Sequence, residues 1–332
     1  MLSTKKFFSS VKINTLVSRY FRIRRFQIPN CTKSISGALI PLSRTSKPNT
    51  RYFHYQHQIY KMVRRMMKSE HISKTADSSR NEIVSLATVV GLRDETKTVK
   101  SVTLKVEDRR LIFKAGQWID MFIPGVETVG GFSMCSSPSK LLKEQCMDLA
   151  VKYSKHPPAH WIHTQCKEGD QVNIRVGGDF SFDAAVHKDV DLLLVAGGVG
   201  INPLYSIINE LADLNQGDNA NKFTGRVILL YSARTVDELA FKEQLNEIHS
   251  NNENIMCQFH VTREGDIYTR IGNVFLLGQR VEKGALSTCF DWLRKEKIQV
   301  YICGPSHMIE DVENTLLGLN VDKSCIRYEK WW

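Results

Sequence analysis

A glycine-rich run, Val195–Pro203, carries the clearest chemical signal in the sequence. It follows the continuous apolar run Leu192–Ala196 and leads into residues with helical spacing. Glycines allow close backbone approach to a phosphate, and a helix N-terminus offers free N–H donors and the positive end of its dipole. Proline in place of the fingerprint's third glycine is tolerated, because the N–H that it lacks has no helical partner there. The run predicts a dinucleotide-binding turn, with a plain tight turn as the alternative, formed by Gly197, Gly198, Val199, Gly200, Ile201, Asn202 and Pro203.

A second segment, Cys303, Gly304 and Pro305, ends the penultimate predicted strand. Ligands of α/β folds bind at the carboxyl edge of the sheet, where this segment lies. A small, soft side chain followed by glycine would let a flat ring approach. The alternative is a buried cysteine followed by a turn.

A third segment, Gly130–Pro138, combines an aromatic residue with small hydroxyl residues. Phe132 would stack on a flat heterocycle, while Ser133 and Ser136 would hydrogen-bond to it. A serine-rich edge strand is the alternative.

Two different patterns of apolar residues predict the elements that position these segments. Between residues 80 and 186, short bursts separated by Gly and Pro predict an antiparallel six-stranded β-barrel with one helical stretch. The candidate strands are Glu82–Val90, Val99–Val106, Gln117–Ile123, Gly131–Ser136, Asp148–Tyr153 and Gln171–Val176. Over residues 187–332, buried strands alternate with helical stretches, which predicts a doubly wound parallel sheet in an α/β nucleotide-binding domain.

The first 69 residues carry fifteen Lys or Arg residues and no acidic residue. Between Lys5 and Phe26, basic residues interleave with bulky apolar ones and would form adjacent stripes on a helix. An Arg-rich, acid-free amphipathic start is typical of a mitochondrial transit peptide. We therefore predict a mitochondrial presequence and linker over residues 1–79, with a membrane-surface helix or a disordered arm as the alternatives.

The net charge of +10 is an average of two unlike parts, because the chain beyond residue 69 sums to −5. Nucleic-acid binding is disfavoured, since its basic footprint should lie on the folded part. No transmembrane segment is predicted, because the longest apolar run, Leu192–Ala196, is far too short to span a bilayer. The eight cysteines lack C-x-x-C spacing, which argues against zinc and iron–sulfur sites and predicts no metal centre.

Taken together and in this order, the three segments resemble the ferredoxin–NADP reductase-like superfamily of flavin reductases over residues 80–332. The superfamily's Arg-x-Tyr-Ser motif falls on Gly130–Ser133, its Gly-Gly-x-Gly-x-x-Pro motif on Gly197–Pro203, and its Cys-Gly-Pro motif on Cys303–Pro305. The resemblance implies a barrel that holds FAD or FMN and an α/β domain that holds NAD(P)H.

The same resemblance implies roles for individual residues. Phe132 would pack on the flavin ring or ribityl chain, and Ser133 would lie near flavin N5. The turn Gly197–Asn202 would cradle the pyrophosphate of NAD(P)H, and Cys303 would border the nicotinamide. Cys303, Ser133 and Glu329 would flank the reacting atoms. Hydride would pass from nicotinamide to flavin and on to an unidentified acceptor or protein partner.

The barrel departs from the superfamily pattern where the flavin phosphates would bind. Gly130 replaces an arginine whose charge-assisted contact is worth about 1.5–3 kcal/mol. Phe132 lacks the hydroxyl of the superfamily's tyrosine, and Ala159 replaces a serine in the second phosphate element, Lys155–His163.

The sequence therefore leaves two functions open. One is flavin-dependent NAD(P)H oxidoreduction, with Lys152 or Arg175 compensating for the missing arginine. The other is a binding protein that senses NAD(P)(H) or assists a partner without flavin turnover. After the second α/β strand, Ser232 and Arg234 offer a hydroxyl and a guanidinium to a ribose 2′-phosphate, which slightly favours NADPH over NADH.

Overall fold

A computed structural model describes residues 69–217 and 222–331 of the chain. Most of the predicted presequence therefore lies outside the described residues. The described part contains an antiparallel six-stranded sheet followed by a doubly wound sheet with helices, which confirms the predicted fold class.

The first sheet forms the barrel. Its strands are β1 Ser85–Thr96, β2 Val99–Val106, β3 Trp118–Phe122, β4 Gly130–Ser133, β5 Cys146–Lys152 and β6 Gln171–Gly177, accompanied by α1 Glu70–Lys74, α2 Pro138–Glu144 and α3 Pro157–Thr164. They pair in the order β4-β3-β6-β1-β2-β5, and a bridge between Met134 and Leu149 joins the two edges. Strand alternation sends Ile119 into the barrel core and leaves Trp118 and Asp120 on the outer face of β3.

The second sheet has seven strands, and all but β10 run parallel. The elements are β7 Asp191–Gly197, α4 Ile201–Gln216, β8 Val227–Ala233, α5 Lys242–Asn251, β9 Ile255–Val261, β10 Tyr268–Ile271, β11 Val274–Leu277, α6 Lys283–Trp292, β12 Ile298–Gly304, α7 Ser306–Gly318 and β13 Ile326–Lys330. Their order is β10-β11-β9-β8-β7-β12-β13. All seven residues of the central strand β7 are buried, as expected for a strand covered on both faces.

The structure differs from the sequence prediction in several places, one of which is the helix α2, since only one helical stretch is predicted in the barrel. Residues 69–79, predicted as the end of the presequence and linker, include the helix α1, in which His71 is buried. The hairpin of β10 and β11 was not predicted, because its strands have only four residues each. The sequence pattern predicts a helix near Asp237–His249, but the helix α5 begins only at Lys242, since Phe241 adopts a left-handed φ of 60° that ends the preceding turn.

Helix α4 joins the barrel to the α/β domain. Three of its polar side chains donate to backbone carbonyls of the barrel: Asn202 to Ala150 at 2.6 Å, Ser206 to Ser136 at 2.7 Å, and Asn209 to Cys135 at 3.0 Å. The helix that begins at the glycine turn therefore also fixes the turn against the barrel. Among residues 69–217 and 222–331, no helix combines the length and apolarity needed to cross a bilayer.

Candidate functional site

The glycine turn lies between β7 and α4, with Gly198–Gly200 forming one turn of 3-10 helix. A Cβ on Gly197 would lie 2.7 Å from the sulfur of Met308, and one on Gly200 would overlap the carbonyl of Cys303. These two glycines therefore permit the close approach of β12. Gly198 has a φ of +56° and faces open space, so it turns the chain and presents its backbone to a ligand.

The first turn of α4 packs against the barrel. Ile201 and Pro203 are buried, and the Asn202 side chain is bound to the barrel. Since these three side chains are buried, only the backbone of this turn is left to make the predicted contact with a pyrophosphate. Val199, like the preceding glycine, is half-exposed and lies where the backbone would meet a pyrophosphate.

Three residues predicted to flank the reacting atoms meet at the carboxyl edge of the sheet. Cys303 on β12 pairs with Ala196 on β7 and with Glu329 on β13. Ser133, at the end of β4, places its Oγ 3.5 Å from Oε2 of Glu329. The Nε1 of Trp331 donates to the same oxygen at 3.0 Å. Strands of both domains thus contribute to one small polar cluster beside the glycine turn.

The electrostatics of this cluster favour protonated side chains at neutral pH. Burial raises the pKa of Glu329 to about 8, although the hydrogen bonds from Trp331 and Ser133 partly oppose the effect. Burial, followed by the charge of Glu329, raises the pKa of the Cys303 thiol well above its ordinary value. Both side chains therefore favour their protonated, neutral forms near neutral pH.

The ends of β8 and β9 form the predicted ribose-phosphate position. Ser232 is buried, Arg234 is exposed, and the backbone N–H of Arg263 donates to the carbonyl of Arg234 at 2.9 Å. A second arginine thus stands beside the predicted one. Arg263 was not predicted from the sequence, in which its only signal is that a basic residue follows the carboxyl end of a strand. Glu264, the neighbouring carboxylate, accepts from the backbone of Val236 at 3.0 Å.

The position of the missing arginine is filled by the protein itself. A Cβ on Gly130 would overlap the ring of Phe132 and would lie 2.9 Å from Cβ of Pro158. Phe132 is half-buried and packs against the barrel core. No arginine fits at residue 130 without displacing this ring, so the glycine is required by the local packing.

Lys152 and Arg175, which are predicted to compensate for the missing arginine, both have other partners within the protein. Lys152 lies 3.6 Å from Glu238 of the α/β domain. Arg175 binds the buried carboxylate of Asp120, with its Nε 2.9 Å from Oδ2. The Arg175 guanidinium is therefore committed to Asp120, whereas the partly exposed Lys152 forms only a long ion pair.

The first turn of the helix in the second flavin-phosphate element offers few backbone donors. Helix α3 begins with Pro157 and Pro158, neither of which has an N–H, and the N–H of His160 is already bonded to His156. A groove of about 640 Å³ lies beside it, lined by Gly125, Val126, Glu127, Thr128, Tyr153, Lys155, Pro157, His160, Trp161 and Gln165. Ser133 and Glu329 offer polar groups of the kind that hydrogen-bond to a flavin ring, whereas the arginine that would anchor its diphosphate in the superfamily pattern is replaced by Gly130.

The remaining predicted cofactor contacts have structural partners. The Ser136 Oγ accepts from the backbone of Asp148 at 2.9 Å, so this hydroxyl holds the β4–β5 connection together. Gly304 is buried against the glycine turn, and Pro305 is the residue that precedes α7. Among the described residues, no group of three or more His, Cys, Asp or Glu side chains is arranged to hold a metal ion.

A buried ionic cluster on the outer face of the barrel was missed by sequence reasoning. The carboxylate of Asp120 is fully buried and binds His71 Nε2 at 3.0 Å, Arg80 Nε at 3.0 Å and Arg175 Nε at 2.9 Å. Its members come from three separate parts of the sequence, and no spacing pattern joins them. The cluster packs on Trp118, which the imidazole of His71 contacts edge-on at 4.9 Å.

The sequence is similar to those of known proteins over most of the chain. Residues 194–314 match the family model described as the oxidoreductase NAD-binding domain. Oxidoreductase NAD-binding domain-containing protein 1 of Xenopus laevis is 44% identical over 283 residues, which cover 82% of this chain and 88% of that protein. The human protein of the same name is 43% identical over 271 residues, 80% of this chain and 85% of its own length.

Solved structures share the fold at lower sequence identity. Ferredoxin-NADP+ reductase from Plasmodium falciparum with 2′P-AMP has a TM-score of 0.59 at 17% identity and covers 74% of this chain and 96% of its own. The FAD/NAD-binding domain of nitric oxide dioxygenase from Vibrio cholerae has a TM-score of 0.58 at 22% identity, with coverage of 74% and 98%. These likenesses show that the barrel and the α/β domain share the fold of such reductase domains.

Proposed function

The chain belongs to the family of oxidoreductase NAD-binding domain-containing protein 1, and from this premise we propose that it is an NAD(P)H-dependent oxidoreductase that passes hydride to a flavin ring. The observation that carries the proposal is the meeting of Ser133, Cys303 and Glu329 beside the glycine turn. Nucleotide and acceptor would bind from opposite sides of this meeting point, one on each domain.

The α/β domain would bind and orient the nicotinamide nucleotide. The open backbone at Gly198 and the N-terminus of α4 would hold the pyrophosphate. Free N–H donors and the positive end of a helix dipole both favour the binding of an anion. Cys303, buried and neutral, would border the nicotinamide and exclude water from it. The close packing of the glycine turn against β12 would fix the nicotinamide ring relative to the edge of the sheet.

The barrel face would bind the acceptor ring. A flavin, when bound, accepts the hydride and passes its electrons on to a further acceptor. Glu329 would hold a proton on its carboxyl group at neutral pH, and the Ser133 hydroxyl would relay that proton toward the ring or hydrogen-bond to it. Because the phosphate anchors are missing, we propose that the flavin binds through its ring and exchanges with solution.

The experiment that tests this function is anaerobic mixing of the purified full chain with a flavin and then with NADPH or NADH. We expect loss of the flavin's visible absorbance. We also expect FAD, FMN and riboflavin to bind within about threefold of one another, since an anchored phosphate would separate them by about 10- to 100-fold. A chain that binds none of the flavins and never reduces them would contradict the proposal.

The second candidate function is nucleotide binding without flavin turnover. The observation that favours it is the filling of the arginine position by Phe132 and Pro158. The same mixing experiment separates the two functions. Saturable NAD(P)H binding with no reduction of any added flavin identifies the binding protein, whereas reduction identifies the enzyme.

Replacing Arg234 with alanine is expected to change the choice between nucleotides. We propose that the guanidinium binds the 2′-phosphate of NADPH, so the KM for NADPH should rise about 10-fold or more, while that for NADH stays within about twofold. Arg226→Ala is the matched control, because Arg226 is also exposed but lies before the amino end of β8. Equal changes for both nucleotides would show that Arg234 does not contact the phosphate.

A further inference from the structure

The side chain of His71 lies on the outer face of the barrel, where the surrounding residues leave room for its ring. A Cβ on Gly131 would overlap the imidazole ring, so the strand is bare where the ring lies. The ring is 4% exposed, and its Nε2 lies 3.0 Å from Oδ1 of Asp120. Its Nδ1 is buried and has no partner among the described residues. The helix α1 is thus held to the barrel by the His71 side chain, together with the hydroxyl of its N-cap residue Ser69, which donates to the Val129 carbonyl at 3.2 Å.

The same imidazole contacts the residue that binds Glu329. His71 and Trp331 have nearly parallel rings, 16° apart, with their centroids offset at 5.8 Å. Trp331 Nε1 donates to Glu329 Oε2 at 3.0 Å, and Ser133 lies 3.5 Å from that oxygen. A continuous series of contacts therefore runs from the buried carboxylate of Asp120 to the proton donor of the proposed reaction.

We propose that His71 is a positioning residue that holds Trp331 over Glu329 and so keeps the carboxyl group dry and aimed at Ser133. This inference rests on the proposed function for its consequence in turnover, but the contact itself is independent of any nucleotide or flavin. Because Asp120 fixes one ring nitrogen, the imidazole provides a stable face for the indole. Without that face, Trp331 turns away and water reaches Glu329.

The state of Glu329 reports on this role. Burial is the main reason that the pKa of Glu329 is raised to about 8, so water entering beside a loosened Trp331 should lower it toward the ordinary value. The charged and titratable groups that face His71, Trp331 and Glu329 are Asp120, Arg80, Arg175, His156 and Cys303. All of these groups remain unchanged in the variants below.

The test is a pH titration of tryptophan fluorescence in the full chain without nucleotide or flavin. We expect a transition near pH 8 that Glu329→Gln abolishes. His71→Gln, which keeps a donor for Asp120 but lacks the ring, should move the midpoint down by about one pH unit. His71→Phe, which keeps a ring beside Trp331 but lacks the donor, should leave it within about 0.3 units. His163→Gln is the control, because that half-buried histidine bonds to the Val151 carbonyl instead.

Turnover gives the second readout. If flavin is reduced, His71→Gln should lower kcat about 10-fold while the KM for NADPH stays within about twofold, since the nucleotide site is untouched. A midpoint that stays at the wild-type value in His71→Gln, with only a loss of stability, would overturn the proposal and leave His71 a structural residue. If no variant or wild-type chain reduces flavin, the proposed function fails, while the titration still decides the role of His71.

Discussion

Replacing Gly200 with alanine should lower the free energy of unfolding by about 3 kcal/mol, the upper end of the usual effect of overpacking. The added Cβ would overlap the Cys303 carbonyl and lie 2.8 Å from the backbone nitrogen of Gly304. Both groups belong to the backbone of the strand β12, which is paired on both sides, so neither can rotate away as a side chain would. The affinity for nucleotide should fall together with the stability, because the glycine turn must move to make room for the added Cβ. Urea unfolding followed by circular dichroism, with NADPH titration in parallel, measures both effects.

The matched control for this change is Gly284→Ala. Gly284 lies in the first turn of α6, is exposed, and has open space in the direction of a Cβ. Alanine there should raise the free energy of unfolding by about 0.5–1 kcal/mol, because it favours the helix. A loss below about 1 kcal/mol at Gly200 would show that the turn and β12 are not in close contact.

Replacing Asp120 with asparagine should cost about 3–5 kcal/mol of stability, because it leaves the buried guanidinium of Arg175 and the partly buried one of Arg80 without their counter-charge. The carboxylate is fully buried and binds His71, Arg80 and Arg175. Thermal and urea unfolding of the full chain measure the loss. Asp237→Asn is the control, since its ion pair with Lys97 lies at the surface and should contribute less than about 0.5 kcal/mol.

The effect of Asp120 should also depend on pH. Burial raises the pKa of Asp120, but the hydrogen bond from His71 and the charges of Arg175 and Arg80 outweigh burial and lower it below its ordinary value. A carboxyl group with a lowered pKa stabilises the fold above its unfolded pKa, and this stabilisation is lost as the pH falls. The difference between wild type and Asp120→Asn should therefore shrink below about pH 4. A difference that stays constant down to pH 2 would show that the charge is not what stabilises the cluster.

The sequence predicted the parts of the site that are local in the chain. Gly198 and Gly200 stand at a strand–turn–helix junction, and such a junction is recognisable from a few consecutive residues. Cys303 and Glu329 end two neighbouring parallel strands, so their meeting follows from the topology of the sheet. The fold class could be predicted for the same reason, because the alternation of apolar and polar residues and the continuous apolar runs are local patterns in the sequence.

The sequence did not predict contacts that depend on distant side chains. His71 lies in a short helix after an acid-free arm, and only the folded barrel shows that it binds Asp120. Arg175 was taken as a candidate for the flavin phosphate, but its position on the outer face of β6 directs it to the same carboxylate. Gly130 was correctly identified as a departure, yet only the packing of Phe132 shows why an arginine does not fit.

The attachment of α4 to the barrel has a consequence for how this protein tolerates sequence change. Asn202, Ser206 and Asn209 supply every donor in these three contacts, while the barrel supplies only main-chain oxygens. A main-chain acceptor is present whatever residue occupies its position. Barrel residues 135, 136 and 150 are therefore free to diverge as far as these contacts are concerned, whereas the three donors on α4 are constrained together.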